Sequence, residues 1–522
     1  MENLYFNTIQ ELINYPSPIN NQMAFVSSYT GKNKFGGGSF IYISSLWNIN
    51  DNVSVFNGWS RINITHVDPF MAGAIGDNIS DDSIALQKAL EYARELKLAL
   101  KINGTFATTR ALILQSWDTI VGEGRLISRI RKIGNSVENL SARQAPEKPT
   151  GTLDNYNVDA CLIFYPWENS YAEAITVKDI HFSSNEFADN KGASYGLYAP
   201  RHSRCVTENL QFDNVRIGFF TKNLFLNKHT NFTSIAGSLD NLSQGRSGMI
   251  IYDGEDTTTG TSNTFERFLF VNYERGYEIS NLQTSKFICC YGEQIKKNRG
   301  IDDTQTFLIS NPYNLVFDCC GQESSYGTPL YITASTNAPI KRSIEINSFQ
   351  ARWGTNGTMV SDKGVNLVTV TGADLEVSLN TCTFIKGNEG FINDFLFVSG
   401  GAIVYEKACT LGELAPQITP SSKFLSLNSS FLTFTNSGIS HPTKIITDDL
   451  NNGFNSTSGV FICSIQGATV NIPPIIDSAW GTSVYYGLNS TQGTQILYLT
   501  NSNKVWKRTK LSNSNIGSWE QI

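Results

Sequence analysis

The sequence predicts an all-β protein organised as an elongated repeat. With 522 residues the chain is too long for one ordinary core. It has 42 glycines, 11 % aromatic residues and only 16 % charged residues, with Asn, Ser and Thr throughout, and this composition favours strands and turns over helices. Apolar and polar residues alternate with a period of two, for example over 174–182 and 210–217, which is typical of half-buried strands.

The first residues are predicted to form a small separate unit. Residues 1–6 are similar to a protease-tag remnant, and we exclude them from the fold. Residues 7–66 contain short strand patterns separated by turns such as Gly36–Ser39 and Gly58–Arg61. We therefore expect a small N-terminal domain over 7–66.

The run from Gly76 to Leu90 predicts a sharp turn followed by a helix near 81–97. Asp81 or Asp82 is placed to cap the first turn, and apolar residues follow at helical spacing. From about 67 to 410 the remaining pattern is strand after strand. One amphipathic helix ahead of a long β region is suited to closing the end of a stack of sheets.

Three segments of this region share a Phe with a Glu six residues later. The phenylalanines are Phe268, Phe287 and Phe317, spaced by 19 and 30 residues, and the glutamates are Glu274, Glu293 and Glu323. Such spacings suit coils of a parallel β-helix, where equivalent residues stack at about 4.8 Å. We expect the phenylalanines to form an internal ladder, with Phe270, Cys289 and Cys319 buried beside it.

The same alignment places the three glutamates in one column and makes them the candidate catalytic residues. Carboxyl groups this close cannot easily all ionise, so one is suited to be the general acid and another the nucleophile or base of a glycosidase. Retaining and inverting mechanisms both stay open. The alternative is that these glutamates are solvated or paired with basic neighbours.

Aromatic and polar residues near the column are candidates for sugar binding. They are Tyr291, Tyr326, Arg352 and Trp353, together with Asp253 and Glu255 from a polar loop. An ordinary packing or turn role is the alternative for each. Scattered histidines and the absence of a nucleophile-elbow motif give little support to a Ser-His-Asp esterase.

Several stretches together resemble the tailspikes of bacteriophages that infect capsulated Gram-negative bacteria such as Acinetobacter. The Gly76–Leu90 run resembles their β-helix entry signature, 7–66 resembles their stem domain, and 447–522 resembles the C-terminal knob of phage tail fibres, with 411–446 as a connector. The resemblance implies a single-stranded, pectate-lyase-like right-handed parallel β-helix over 67–410. It also implies a homotrimer whose knob serves trimerisation or carbohydrate binding.

The resemblance further implies a capsular polysaccharide depolymerase, with hydrolysis by paired carboxylates as the first expectation. A polysaccharide lyase using Lys296, Lys297 or Arg299, a capsule deacetylase, and a non-catalytic receptor-binding spike stay open. The expected partners are the capsular or surface polysaccharide, two further copies of the chain, and the virion tail through a missing N-terminal segment. The protein would assemble in the host cytoplasm and act, as part of the virion, at the bacterial surface.

Other functional classes have little support. The net charge is −6 without a basic block, which argues against nucleic acid, and the composition suits neutral or sugar-like ligands. No apolar run of membrane-spanning length occurs, so we expect no membrane insertion. The nine cysteines show no metal-binding spacing, and we expect buried thiols, no metal and no cofactor.

Overall fold

The structure, a computed structural model, divides the chain into two compact units, residues 1–329 with 353–356 and residues 330–352 with 357–522. The residues that it describes are 3–134, 137–139, 157–166, 171–185, 193–237, 245–252, 260–295, 304–325, 327–335, 341–353, 366–385, 396–410, 417–419, 421–426, 433–434, 445–446, 459–468, 479–487, 493–499, 505–512, 515–516 and 520–521.

The first unit begins with a five-stranded sheet around a small aromatic core. Its strands are Leu4–Thr8, Met23–Ser28, Gly36–Tyr42, Val55–Phe56 and Trp59–Ile62. A short helix, Ile9–Ile13, and two 3-10 turns, Ser44–Leu46 and Pro69–Ala72, complete it. Leu4–Thr8 pairs in parallel with Met23–Ser28, so Leu4, Tyr5 and Phe6 form part of the first strand.

The predicted helix covers Ser83–Glu95 and buries Leu86, Ala89, Leu90 and Ala93. Asp82 occupies its N-cap position, but its carboxylate accepts backbone N–H groups of the entry turn, from Ile75 (2.7 Å) and Gly76 (3.0 Å), instead of capping the helix. Asp81 accepts from the backbone of Ser83 and from Thr109. The entry run is thus a structural element that ties the helix to the first coils.

The rest of the first unit is a parallel β-helix, as predicted, in which each strand pairs in parallel with its equivalent one coil later. The first stack contains Asp77–Asp81, Leu100–Ile102, Thr105–Thr108, Thr119–Gly122, Arg129–Lys132, Thr176–Lys178, His181–Ser184, Val206–Asp213, Lys228–Ile235, Thr264–Val271, Lys286–Ile288, Tyr291–Glu293, Tyr313–Asp318 and Gly321–Ser325.

A second stack of longer strands lies on another side of the coils. It contains Leu112–Leu114, Ala160–Phe164, Ala193–Ser203, Val215–Phe225, Gly245–Ile251, Tyr273–Ser280 and Gln305–Ser310. Short strands join it at Ala172–Glu173, Gly260–Thr261 and Leu282–Gln283, and Glu138–Asn139 pairs antiparallel with Asn157–Val158.

An internal aromatic ladder exists, but its register differs from the predicted one. Phe265, Phe287 and Phe317 stack at 4.7 and 4.5 Å between ring centroids, whereas Phe268 stacks on Phe232 at 4.9 Å. The inclusion of Phe268 was wrong by three residues, because register is set by left-handed turn residues that the side-chain pattern alone does not reveal.

These turn residues also explain the paired cysteines. Cys289 and Cys319 have φ of 51° and 52° and lie at the turn, partly or fully exposed, so their predicted burial was wrong. The next residue in each case, Cys290 or Cys320, points inward and is fully buried. Phe270 is buried as predicted.

In the second unit the coil strands are again paired in parallel. They are Arg342–Asn347, Gln350–Trp353, Val368–Thr371, Leu375–Asn380, Thr383–Ile385, Leu396–Ser399, Ile403–Lys407, Gln417–Ile418 and Lys423–Ser426. The parallel pairing therefore continues beyond residue 410 into the segment predicted as a connector. Thr433–Phe434 pairs antiparallel with its last strand.

A separate sheet, mostly antiparallel, follows near the C-terminus. Its strands are Ile445–Ile446, Gly459–Ala468, Ala479–Gly487, Gly493–Leu499, Val505–Ser512, Asn515–Ile516 and Glu520–Gln521. All of its strands except Ile445–Ile446 fall within 447–522, the segment for which a C-terminal domain is expected. Among the described strands, Thr328–Thr333 and Gln350–Trp353 each span a point where the two units divide.

Candidate active site on the outer face of the first stack

Glu293 and Glu323 are register partners on neighbouring coils of the first stack. Glu293 is half-buried and Glu323 is exposed, and both point away from the interior because Gly292 and Gln322, which precede them, are buried. Neighbouring strands are about 4.8 Å apart, so the two carboxylates leave the sheet side by side. This part of the predicted column is confirmed.

Glu274 does not belong to that column. The register partner of Glu293 on the preceding coil is Val271, and Glu274 follows the left-handed turn residue Asn272 on the second stack. Burial raises the pKa of its carboxyl group, while Arg275 and Arg246 oppose that shift. The prediction of a three-glutamate column was wrong because the segment from Phe268 to Glu274 was aligned three residues out of register. The same error affected the predicted phenylalanine ladder.

The predicted sugar-binding residues have different outcomes. Tyr291 lies on the outer face, half-buried, two residues before Glu293. Arg352 is exposed and lies in the second unit, in the strand Gln350–Trp353, with Ile385 as its register partner. Asp253, Glu255 and Tyr326 lie outside the described residues, as do Lys296, Lys297, Arg299 and the side chain of Trp353.

The outer face of the first stack also carries a polar cluster that the sequence reasoning missed. Nε2 of His181 lies 2.8 Å from Oδ2 of Asp213, and the amide of Gln211 donates to both oxygens of that carboxylate at 3.0 and 3.1 Å. All three side chains are half-buried. The sequence contains a pattern that indicates this cluster, because His181-Phe182-Ser183 and Gln211-Phe212-Asp213 both read polar–Phe–polar. In the structure these segments are register partners, and the rings of Phe182 and Phe212 stack at 5.0 Å between centroids.

Three arginines come from the strand before His181 and from the loop preceding that strand, and their guanidinium groups diverge: that of Arg131 donates to the carbonyl of Asn78 at 3.0 Å. Arg129 is the register partner of His181, and Arg131 is the partner of Ser183. Arg125 belongs to the short loop before them, and its guanidinium donates to Oγ1 of Thr233 at 3.3 Å, which places it over the outer face. The strands between this cluster and the glutamates present Thr233, Ile235, Leu269 and Val271.

The outer face therefore changes character along the coils. It is basic at Arg129, polar at His181 and Asp213, more apolar beyond Thr233, which Arg125 contacts, and acidic with a tyrosine at Glu293 and Glu323. From Asp213 through Ile235 and Val271 to Glu293 there are three coil steps, about 14 Å at the strand spacing. An extended chain molecule can contact both ends at once.

In the part of the chain that the structure describes, no group of three or more His, Cys, Asp or Glu side chains is arranged to hold a metal ion. None of the described helices has the length and apolar character needed to cross a membrane.

Comparison with known proteins finds similarity in fold to solved structures. No protein-family profile and no curated protein sequence matches the chain. The tailspike of Acinetobacter phage vb_AbaP_AS12 superposes with a TM-score of 0.72 at 17 % identity, over 100 % of this chain and 94 % of that one.

Two structures of tailspike protein 2 from an Escherichia coli bacteriophage are also similar. The enzymatically active domain from bacteriophage CBA120 gives a TM-score of 0.55 at 13 % identity, over 99 % of this chain and 79 % of that one. The full-length protein gives 0.50 at 12 % identity, over 100 % and 71 %. The chain thus shares the fold of bacteriophage tailspikes, as the sequence predicted.

Proposed function

We propose that this protein is a phage tailspike that binds bacterial capsular polysaccharide and cleaves it by hydrolysis of a glycosidic bond. The observation that carries the proposal is the pairing of Glu293 with Glu323 on adjacent coils, beside Tyr291. The similarity in fold to tailspikes, one of which is described as an enzymatically active domain, supports a role in polysaccharide cleavage.

In this mechanism one carboxyl group protonates the departing glycosidic oxygen while the other attacks the sugar or activates water. Strand spacing holds the two backbones about 4.8 Å apart, near the carboxyl separation of about 5 Å that retaining enzymes use. Glu293 is the more buried member and is assigned as the acid, and Glu323 as the nucleophile. The ring of Tyr291 offers a flat surface for a sugar.

A lyase is the second candidate, and His181 is the observation that favours it. β-Elimination needs a base next to an acidic sugar and cations to neutralise that sugar's carboxylate. His181, held by Asp213 and flanked by Arg129, offers these groups on the same face. A lyase would leave an unsaturated uronate, which absorbs in the ultraviolet, whereas a hydrolase leaves only new reducing ends.

The test uses capsular polysaccharide from a strain whose lawn shows a halo around the applied protein. Glu293→Gln and Glu323→Gln are each expected to lower the release of reducing ends at least about 100-fold, because each removes an acid–base or nucleophilic group. Glu95→Gln, at an exposed position of the entry helix, is the matched control. Glu274→Gln is expected to retain activity.

Full activity in both Glu293→Gln and Glu323→Gln would contradict the proposed site. Ultraviolet-absorbing products that disappear in His181→Gln would instead favour the lyase. Binding of the polysaccharide without any cleavage by the wild-type protein would identify a non-catalytic receptor-binding spike.

A further inference from the structure

We propose that Cys289 and Cys319 together form a binding site for a soft, thiophilic cation, with copper(I) as the ion that the site suits best. The two cysteines lie at the same turn position of neighbouring coils, with φ of 51° and 52°. The inference does not depend on the proposed function. It revises the expectation, drawn from the spacing of the cysteines in the sequence, that the chain holds no metal.

Strand pairing on both sides of the turn places the two cysteines directly beside each other. Ile288 is the register partner of Asp318 before the turn, and Tyr291 is the partner of Gly321 after it. The backbone N–H of Cys289 also donates to the carbonyl of Asp318 at 2.8 Å. Because the two cysteines share one backbone conformation, their Cα–Cβ bonds are parallel, and their Cβ atoms are separated by one strand spacing, about 4.8 Å.

Side chains at this turn position contact one another from coil to coil. The amide of Asn209 donates to Asp179 on the preceding coil at 2.6 Å, and the amide of Asn231 donates to Asn209 at 2.9 Å. These residues belong to one column of left-handed turn residues, which consists of Asp179, Asn209, Asn231, Arg267, Cys289 and Cys319. The same column therefore brings the two thiols side by side.

The surroundings leave these thiols accessible to a cation. Cys319 is exposed and Cys289 is half-buried, and Sγ of Cys319 lies 3.7 Å from the Asp318 carboxylate, which attracts positive charge. Arg267, which precedes Cys289 in the column, is ion-paired with Glu266 at 3.0 Å, so its charge is offset.

The two cysteines that follow in sequence are not available in this way. Cys290 and Cys320 are fully buried, and Sγ of Cys320 accepts from the backbone N–H of Cys290 at 3.4 Å. Each of these two thiols also donates to a backbone carbonyl, that of Phe265 at 3.5 Å and that of Phe287 at 3.4 Å. The accessible thiols in this part of the coil are therefore those of the turn.

The spacing of the turn thiols favours a bridging ion over a disulfide. A disulfide needs Cβ atoms about 3.5–4.5 Å apart, closer than the strand spacing of about 4.8 Å. An ion about 2.3 Å from each sulfur, the length of a metal–thiolate bond, joins sulfur atoms up to about 4.6 Å apart. Copper(I) prefers thiolate ligands and accepts two of them in a line. On binding it displaces one proton from each thiol and keeps its oxidation state.

The experiment measures copper(I) binding by the full chain, reduced and handled without oxygen. The protein competes for the ion with bicinchoninate, whose purple copper(I) complex loses its colour when the ion is withdrawn. The wild type is expected to take up one ion per chain. Cys289→Ser and Cys319→Ser are each expected to bind copper(I) at least about 100-fold more weakly, because the second thiolate no longer acts at high effective concentration.

Cys205→Ser, which removes a buried thiol elsewhere in the first unit, is the matched control and is expected to bind like the wild type. X-ray absorption of the copper complex is expected to show two sulfur neighbours. Wild-type protein that takes up no copper(I), or a Cys289→Ser/Cys319→Ser variant that binds like the wild type, would overturn the site. Neither result bears on the glutamate pair, whose test is the release of reducing ends. Circular dichroism establishes that each variant is folded.

Discussion

At the scale of single residues, two histidines meet inside the coil without contact with solvent. Nδ1 of His202 donates to the carbonyl of Ala199 at 3.1 Å, so its Nε2 is the acceptor for Nε2–H of His229 at 3.2 Å. The hydroxyl of Thr207 then donates to Nδ1 of His229 at 2.8 Å. This chain of hydrogen bonds requires both rings to be neutral.

The pair is expected to make stability depend on pH. Burial lowers the pKa of His202 to about 4 and that of His229 well below its usual value, while the unfolded chain takes up protons near pH 6.5. The contribution of the two neutral histidines to the free energy of unfolding is therefore fully present above pH 6.5. It is lost as the pH falls toward 4. Thermal melting from pH 7.5 to 4 is the measurement.

The double variant His202→Gln/His229→Gln, which cannot titrate in this range, is expected to show a smaller decline over the same interval. His66→Gln, at a half-buried position outside the coil interior, serves as the control. An identical fall in melting temperature in the wild type and the double variant would contradict the assignment to the two histidines. The pH dependence would then come from carboxylates.

At the scale of elements, polar side chains inside the turns connect one coil to the next. Oδ1 of Asn263 accepts from the backbone of Asn227 (3.1 Å) and from its amide (2.9 Å), and the backbone of Asn263 donates to Ser285. A cysteine makes an equivalent contact, because the backbone N–H of Cys290 donates to Sγ of Cys320 on the next coil. These contacts satisfy backbone groups that turn inward, where water does not reach.

Asn263→Ala is expected to destabilise the protein by about 3 kcal/mol, because it leaves several buried donors and acceptors unsatisfied. Its amide donates to the carbonyls of Leu224 and Thr261 as well as accepting from Asn227. Urea unfolding measures the change, with Asn7→Ala at an exposed position as the control. A decrease of less than about 0.5 kcal/mol in the free energy of unfolding would show that the hydrogen bonds of Asn263 are not needed to stabilise the turns.

At the scale of the whole molecule, exposed apolar residues in the N-terminal sheet favour self-association. Tyr5, Met23 and Phe25 are 76, 43 and 46 % exposed, and Tyr5 and Phe25 are register partners. Apolar side chains grouped on one sheet face are typical of surfaces covered in an assembly. We propose that this face is covered in a homotrimer.

Mass photometry is expected to find three times the chain mass of 57.7 kDa. Phe25→Ser is expected to shift material toward the single-chain mass, whereas Lys32→Ser, at an exposed position in the loop between Met23–Ser28 and Gly36–Tyr42, is expected to have no effect. A wild-type protein that stays at the single-chain mass at micromolar concentration would exclude the trimer.

The parallel β-helix, its entry helix and the partnership of Glu293 with Glu323 could be predicted from the amino-acid sequence. Period-two alternation and repeated Phe–Glu spacing report strands whose residues recur on successive coils, and that information is local. The two segments with Phe287 and Phe317 align correctly because each has its turn cysteine two residues after the phenylalanine.

Which residues share a face of the coils could not be predicted from the sequence and is known from the structure. Left-handed turn residues such as Arg267 and Asn272 set where each strand begins, and a three-residue error moves Glu274 to another stack. His181 and Asp213 are 32 residues apart, yet they are joined by a hydrogen bond because their strands stack in register. Register depends on pairing between coils, which strand patterns within one coil do not contain.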